Sequence, residues 1–387
     1  MSKINDLIKK LCPKGVEYKN IKDLCLENFW VMPSTPIYQN EGIPYITSKN
    51  IRNGIVMFDD VKYITEEDYK SISNNRPIIE NDFLISMIGT IGEVGIVRKE
   101  DLPFYGQNMY LLRLNTNLIN IRYFYHYFTS DMVRKKLLGE KNNGNQGYLK
   151  TKNIELLKVP VPPLEVQQEI VQILDKFGEL EAELEAELEA RKSQYEFWRG
   201  KLFNNDSECL RLGDLCSIKT GSKPKEILEI GKYEYINAGT SNSGYVSEIN
   251  AKGDCVTTPS RGQGGIGYVG FQRNDFWCGP LCYQIRSLTD KLLNRYLYYY
   301  MLTNSDYILG LKHEGGVPAV NVKELQEMPI LLPSLEEQNH IVSSLDRFDK
   351  LINDISVGLP AEIELRRKQY EYYRNKLLSF EELSISE

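Results

Sequence analysis

Pro162-Pro163-Leu164-Glu165-Val166-Gln167 returns later in the chain as Pro333-Ser334-Leu335-Glu336-Glu337-Gln338, and this repetition decides the fold. Between Pro162 and Leu180, 10 of 19 positions are identical at a constant offset of 171. Farther on, Gln194-Tyr195-Glu196-Phe197-Trp198-Arg199-Gly200-Lys201-Leu202 returns as Gln369-Tyr370-Glu371-Tyr372-Tyr373-Arg374-Asn375-Lys376-Leu377. The offset there is 175, so the second copy holds four extra residues in between. A long unit that occurs only twice implies two halves related by a pseudo-two-fold, not a solenoid.

Each repeated segment reads as a long helix. In the first, Ile170, Val171, Leu174 and Phe177 begin an apolar stripe that Leu180, Leu184 and Leu188 continue and Tyr195, Trp198 and Leu202 close. Unbroken from Leu164 to Phe203, it would be roughly 60 Å long. The second copy opens with a capping-box pattern at Ser334 and Glu337. Its Gly358-Leu359-Pro360 should kink or break the helix, and the extra residues fall there. Two acidic amphipathic helices in one chain bury their stripes best against each other, which predicts an antiparallel coiled coil; surface helices packed on their own domains are the alternative.

The net charge of −6 is unevenly placed. Residues 1–158 hold 22 Lys+Arg against 18 Asp+Glu, and residues 207–329 hold 13 of each. The segments 159–206 and 330–387 hold 5 against 11 and 7 against 11. The two non-repeated regions can therefore face an anionic partner while the acidic helices turn elsewhere. No N-terminal signal and no long apolar run is present, which predicts a cytoplasmic protein with no membrane partner. Seven cysteines form no disulfide or zinc pattern and are expected to be buried free thiols.

The regions before the helices also correspond, more distantly. Ile21-Lys22-Asp23-Leu24-Cys25 matches Leu212-Gly213-Asp214-Leu215-Cys216, and Arg122-Tyr123-Phe124-Tyr125 is echoed by Arg295-Tyr296-Leu297-Tyr298. Gly89–Gly95 has a counterpart in Gly262–Tyr268. Short β-branched and aromatic runs between Gly, Asn and Asp turns predict strands and hairpins. The tyrosine-rich helices Tyr123–Phe128 and Tyr296–Tyr300 read as core, because contiguous aromatics on a helix point in every direction. The fold class is α+β: two mixed α/β domains, residues 1–158 and 207–329, separated by two long helices, 159–206 and 330–387. Close agreement of the helices beside divergent domains suits two readers of different targets on a shared frame.

On these motifs the chain resembles the specificity subunit of a type I restriction–modification system, over essentially its whole length. The resemblance implies two target-recognition domains, each reading one half of a split double-stranded DNA sequence. It implies that the helices set the spacer and dock two methyltransferase subunits, which modify adenine with S-adenosylmethionine. Restriction/translocase subunits that use ATP and Mg can join; no cofactor is expected on this chain. The helical motifs point to Gln167, Gln194, Tyr195, Trp198, Arg199, Gln338, Gln369, Tyr370, Tyr373 and Arg374 as subunit-binding.

One departure is the run from Glu179 to Ala190, three copies of Glu-Leu-Glu-Ala. These are strong helix formers, so the run should be a stiff rod. One four-residue unit adds about 6 Å and about 40°, and the rod is expected to set the length of the unread spacer.

Catalytic motifs are missing. There is no Asn/Asp-Pro-Pro-Tyr/Phe run and no phosphate loop, and the glycines of Gly262–Gly270 read as a tight turn. His126, His313 and His340 read as structural or solvated. A self-contained restriction–methylation enzyme is thereby disfavoured; a coiled-coil scaffold with no DNA specificity remains the alternative. Arg, Lys, Asn and Gln in polar loops can grip base edges or phosphates. In the first domain the candidates are Thr47, Ser48, Lys49, Asn50, Arg52, Thr90, Gln107 and Asn108, then Asn142, Asn143, Asn145, Gln146, Tyr148 and Lys150. In the second they are Lys219, Thr220, Ser222, Lys223, Lys225, Asn237, Thr240, Asn242, Ser260, Arg261, Gln263, Lys312 and His313. No residue is expected to bind a metal.

Overall fold

The computed structural model describes residues 2–74, 76–89, 91–139, 149–204, 206–262, 264–313, 317–354 and 356–383. The chain divides into two compact units, residues 1–183 with 364–387, and residues 184–363. Each unit thus holds one mixed domain together with a piece of both repeated segments.

In the first unit, Glu17–Asn20 pairs antiparallel with Lys158–Val161 at the two ends of the domain. A four-stranded antiparallel sheet runs in the order Cys25–Val31, Met109–Leu114, Phe83–Ser86, Val94–Ile96. A smaller sheet places Ile43–Ile46 between Lys62–Ile64, antiparallel, and Tyr105–Gly106, parallel. Phe83 and Leu84 are fully buried, on opposite faces of their strand, and serve different cores.

The second unit repeats this plan. Glu208–Arg211 pairs with Pro329–Leu332. Cys216–Thr220, Cys282–Ser287, Cys255–Pro259 and Gly270–Gln272 follow in the same sheet order. Tyr233–Ile236 lies between antiparallel Tyr245–Val246 and parallel Trp277–Cys278. The proline in each two-stranded ribbon, Pro160 and Pro329, sits where only one neighbour needs a hydrogen bond. Only the first unit adds, among the described residues, the hairpin Ile51–Arg52/Ile55–Val56 and the helix Glu66–Ser73. That hairpin turns through Asn53 and Gly54, both at positive φ, the primed-turn chemistry that suits two-residue loops.

Both tyrosine helices, Ile121–Phe128 and Asn294–Thr303, are core elements. Tyr123 and Tyr296 are fully buried, and their hydroxyls donate to the carbonyls of Pro160 and Leu331, one in each ribbon. The central helix runs unbroken from Leu164 to Leu202. The second repeated segment is broken, as its Gly-Leu-Pro requires: Leu335–Asn353 ends at Asp354, and Leu359–Leu377 begins after Gly358. A Cβ on Gly358 would lie 2.7 Å from the carbonyl oxygens of Lys350, Leu351 and Asp354, so the chain needs glycine to leave the first helix there.

The apolar stripe is shared out unevenly. Ile170 and Leu174 are fully buried, whereas Leu180 is 37% exposed and Trp198 is 38% exposed. Within the first unit the central and last helices pair antiparallel: Phe177 stacks on Tyr373 at 5.4 Å, and Glu181 accepts from Arg367. Within the second, Tyr195 packs on Phe348 at 6.3 Å. Five of the seven free cysteines are buried; Cys25 is partly exposed and Cys209 is exposed, which corrects the expectation for those two.

Candidate nucleic-acid interface and partner-facing helices

In the first unit the parallel strand pair directs two polar turns to one end of the small sheet. Thr47–Asn50 follows Ile43–Ile46, and Gln107 and Asn108 follow Tyr105–Gly106. The Gln107 amide N–H donates to Ile46, and Met87 N–H donates to the carbonyl of Asn108. A Cβ on Gly89 would sit 3.9 Å from Ser48 Oγ. Three loops distant in sequence therefore converge. The Asn50 side chain is buried and holds this turn: its Oδ1 accepts from Thr47 N–H and its Nδ2 donates to Asp59 O. That removes Asn50 from the exposed candidates. Gln107 accepts from the Tyr45 hydroxyl, and exposed Lys49 pairs with Asp60 at 2.7 Å. Exposed Arg52 lies on the extra hairpin, which directly follows the Thr47–Asn50 turn, and exposed Lys150 precedes the helix Thr151–Glu155. Thr90, Asn142, Asn143, Asn145, Gln146 and Tyr148 lie outside the described residues.

The second unit builds the same end from different residues. Asn237 follows the central strand of its small sheet, and its Oδ1 accepts from Leu281 N–H at 3.0 Å. This clamp makes Asn237 a loop anchor, because a Cβ at Gly279 would already collide with its amide. Gly221 and Ser222 donate to Gly279 and Cys278, and Trp277 Nε1 donates to Ser222 O. Asn250, absent from the candidate set, donates to Cys278 O and Ser222 Oγ, tying the same segments together. Lys219, Thr220, Ser222, Lys223 and Lys225 are exposed on this segment, Thr240 is exposed on the loop after the central strand, and the Asn242 amide reaches Glu234 at 3.5 Å. Ser260 is buried and bonds through its backbone to Leu281 and Val320, so it too is withdrawn as a contact. Arg261 and His313 both bridge to Ala319. His313 Nε2 meets Glu324 at 2.6 Å, a partner that sequence reading missed. Lys312 adjoins it, and Gln263 lies outside the described residues.

The helices carry a second, duplicated constellation. Gln167 is fully buried; its amide donates to Leu118 O and Pro162 O and accepts from Asn120 N–H. Gln338 makes the matching set with Lys291 O, Pro333 O and Leu293 N–H. Both glutamines therefore lock a helix start to its domain and are not docking surface. Tyr195 and Arg374 are also buried. Arg199 and Arg374 each pair with the glutamate one turn earlier, Glu196 and Glu371. Tyr370 lies against His126, and Tyr373 is half-buried on Phe177.

What remains outward is a stripe repeated in both units, Gln194, Phe197 and Lys201, and Gln369, Tyr372 and Lys376, with exposed Trp198 under the Lys201 ammonium in the second unit. Their i, i+3, i+7 spacing puts each set on one helix face. Phe197 is 63% exposed and Tyr372 is 60% exposed. Neither aromatic is among the expected partner-binding residues, although the repeat and the helical period together mark both.

Behind the stripes the units differ at one hub. In the first, Asp175 accepts from Arg122 at 2.6 Å and from His126 Nε2 at 2.7 Å, while His126 Nδ1 meets the Tyr370 hydroxyl at 3.0 Å. Burial pushes the imidazole below its ordinary value, against the pull of Asp175. Burial alone would raise Asp175, but the bonds from His126 and Arg122 outweigh it and hold the carboxyl down at about 2. In the second, Tyr299 stands at the place of His126, donating to Asp346 at 2.6 Å beside Arg295. Among the described residues no group of His, Cys, Asp and Glu could hold a metal ion, and no helix is long and apolar enough to cross a membrane.

Comparison with known proteins agrees with this duplication. The model of the type I restriction modification DNA specificity domain matches twice, over residues 13–190 and 204–365. A putative type I restriction enzyme specificity subunit of Haemophilus influenzae is 31% identical over 288 residues, 68% of this chain and 73% of its own length. A putative type I specificity subunit of Mycoplasma pneumoniae is 29% identical over 244 residues, 58% of this chain and 98% of its own. Among solved structures, an S subunit of a type I restriction-modification system from M. genitalium aligns with a TM-score of 0.59 at 18% identity, covering 94% of this chain and 96% of that one. A chain from a study of type I R-M assembly aligns with a TM-score of 0.67 at 16% identity, covering 95% and 98%; at such identities the likeness is one of fold. With two divergent loop clusters, two matching helical frames and a family model met once per half, this chain belongs to the family of type I restriction–modification specificity subunits.

Proposed function

We propose that the chain recognises a bipartite DNA sequence and delivers two methyltransferase subunits to it. The observation that carries this reading is the contrast within each unit: the outward helix stripe is kept, and the converging loops are changed. Two similar stripes suit two copies of one partner. Two different loop clusters suit two different half-sites, with Thr47, Ser48, Lys49, Gln107 and Asn108 facing one and Lys219–Lys225, Thr240, Asn242, Arg261 and His313 facing the other. Exposed Lys and Arg there supply phosphate contacts, and the amide and hydroxyl side chains supply base contacts. Adenine methylation with S-adenosylmethionine belongs to the partners, as does any ATP- and Mg-dependent translocation and cleavage. The Glu-Leu-Glu-Ala run, a set of equal steps along one helix, fixes the spacer.

Co-expression with the methyltransferase subunits of its own system, followed by genome-wide mapping of methylated adenine, tests this. A split motif with an unread gap is expected. Assembly with the partner but methylation without sequence preference would overturn it in favour of a scaffold. Phe197→Ala and Tyr372→Ala should each weaken the binding of one partner copy.

A further inference from the structure

The small sheets of the two units correspond in register but differ in what covers them. Pairing to the central strand puts Trp277 at the place of Tyr105 and Val246 at the place of Ile64. In the first unit Tyr105 is buried beneath the chain's own helix Glu66–Ser73. The Tyr69 ring meets it edge-on at 6.4 Å, and the Tyr105 hydroxyl donates to Arg76 O just past the helix. Thr65 starts that helix by accepting from Asp68 N–H.

The second unit has no such cover. The connection from this edge strand to the main sheet is residues 65–82 in the first unit and only 247–254 in the second, where no helix is present. Trp277 is left half-buried, its Nε1 donating to Ser222 O. Beside it lies a cavity of about 170 Å³, several times the about 30 Å³ share of one water. Pro224, Leu228, Val246 and Trp277 form its apolar wall, and Lys225, Glu226, Ser247 and Glu248 are exposed on its rim. The shorter connection and the open cavity are thus one difference between the units.

The wall and the rim select what fits. The apolar wall suits an aromatic ring, the group with which the first unit covers the same position. On the rim two carboxylates, neither in an ion pair among the described residues, stand against one ammonium, Lys225. Such a rim disfavours phosphate and favours a basic neighbour. An enzyme that modifies a base inside the half-site read by this unit must lie beside the reading domain as well as on the helices. The face such an enzyme turns toward DNA carries Lys and Arg.

We propose that this cavity is a second docking point, in the second unit alone, for the methyltransferase subunit, which inserts there an aromatic side chain flanked by Lys or Arg. What the first unit does with its own Tyr69, the second leaves to its partner. The copy on the first unit meets a closed surface at this place, so the two copies are held unequally. The inference rests on the docking proposed above.

Native mass spectrometry of the full chain with its methyltransferase subunit, and methylated-adenine mapping with the same pair, separate the two claims. Ser247→Trp fills the cavity with a ring of the chain's own, and Glu226→Lys combined with Glu248→Lys reverses the rim. The wild type should hold two copies. Either variant should weaken one of them by about tenfold or more, the scale of a lost aromatic anchor. The one-copy complex should then accumulate while the methylated motif keeps both half-sites. A photocrosslinker at position 248 should couple to a methyltransferase peptide that holds an aromatic residue beside Lys or Arg. Two copies retained with wild-type affinity in either variant would overturn the proposal. An adduct on DNA, no adduct at all, or altered bases in the second half-site would overturn it too. A wild-type chain that binds no methyltransferase subunit would instead overturn the docking reading itself. Thermal melts of the free variants matching the wild type assign the loss to docking.

Discussion

The two units share a skeleton and differ in what is hung on it, and the hub behind each outward helix stripe shows how finely the division runs. Arg122, Asp175 and Phe177 of the first unit recur as Arg295, Asp346 and Phe348 in the second. The glutamine locks recur atom for atom. Yet His126 in one is Tyr299 in the other, and each still reaches its aspartate. The frame therefore constrains geometry, a donor aimed at a carboxylate, more than residue identity. The loops are constrained by neither, which is what a reader whose target can change requires.

The largest effect should come from breaking a lock. Gln167→Leu would strand Asn120 N–H and the carbonyls of Leu118 and Pro162 in a buried site. Each unsatisfied group costs ~1–3 kcal/mol, so denaturant unfolding should show a loss of about 3 kcal/mol or more. Gln338→Leu should show the same loss; a large loss in one unit and none in the other would break the equivalence of the frames.

Deletion of Glu187–Ala190 should shorten the unread spacer of the methylated motif and leave both half-sites unchanged. An identical spacer in the deletion variant would remove the central helix as its determinant.

The hub makes acid stability differ between units. His126 has its folded value below its unfolded one, so the unfolded chain binds the extra proton first. Its contribution is complete above about pH 6.5 and is lost as pH falls below that. Asp175, held at about 2, contributes above its unfolded value near 4 and is lost as pH falls toward 2. Hydrogen exchange between pH 7 and pH 5 should show the first unit loosening more than the second. His126→Tyr should flatten that difference, and Tyr299→His should confer it on the second unit. The smallest effect should follow Lys225→Ala, an exposed loop cation. If it touches phosphate, the slope of log affinity against log salt should fall by ~0.9, with no change in preferred sequence.

Much of the frame was legible in the sequence because repetition marks it. The helix starts, the break at Gly358 and the burial of the tyrosine helices all follow from local pattern. The role of Gln167 did not. An amide beside a helix start reads equally well as surface or lock, and only the position of Leu118 and Asn120 decides it. Nothing near His126 in the sequence marks its partners, which lie 49 and 244 residues away. Asn50 and Ser260 are alike in this: polar side chains in a loop look like contacts until the loop's own hydrogen bonds are counted.

The central claim, two independent readers on equivalent frames, is met most directly by exchange. The two-stranded ribbons mark matching cut points, so residues 17–161 can be replaced by residues 208–332. Genome-wide methylated-adenine mapping of this chain with its methyltransferase subunits should give a split motif whose two halves are the same half-site, the second unit's. An unchanged motif, or one with no gap, would contradict the account.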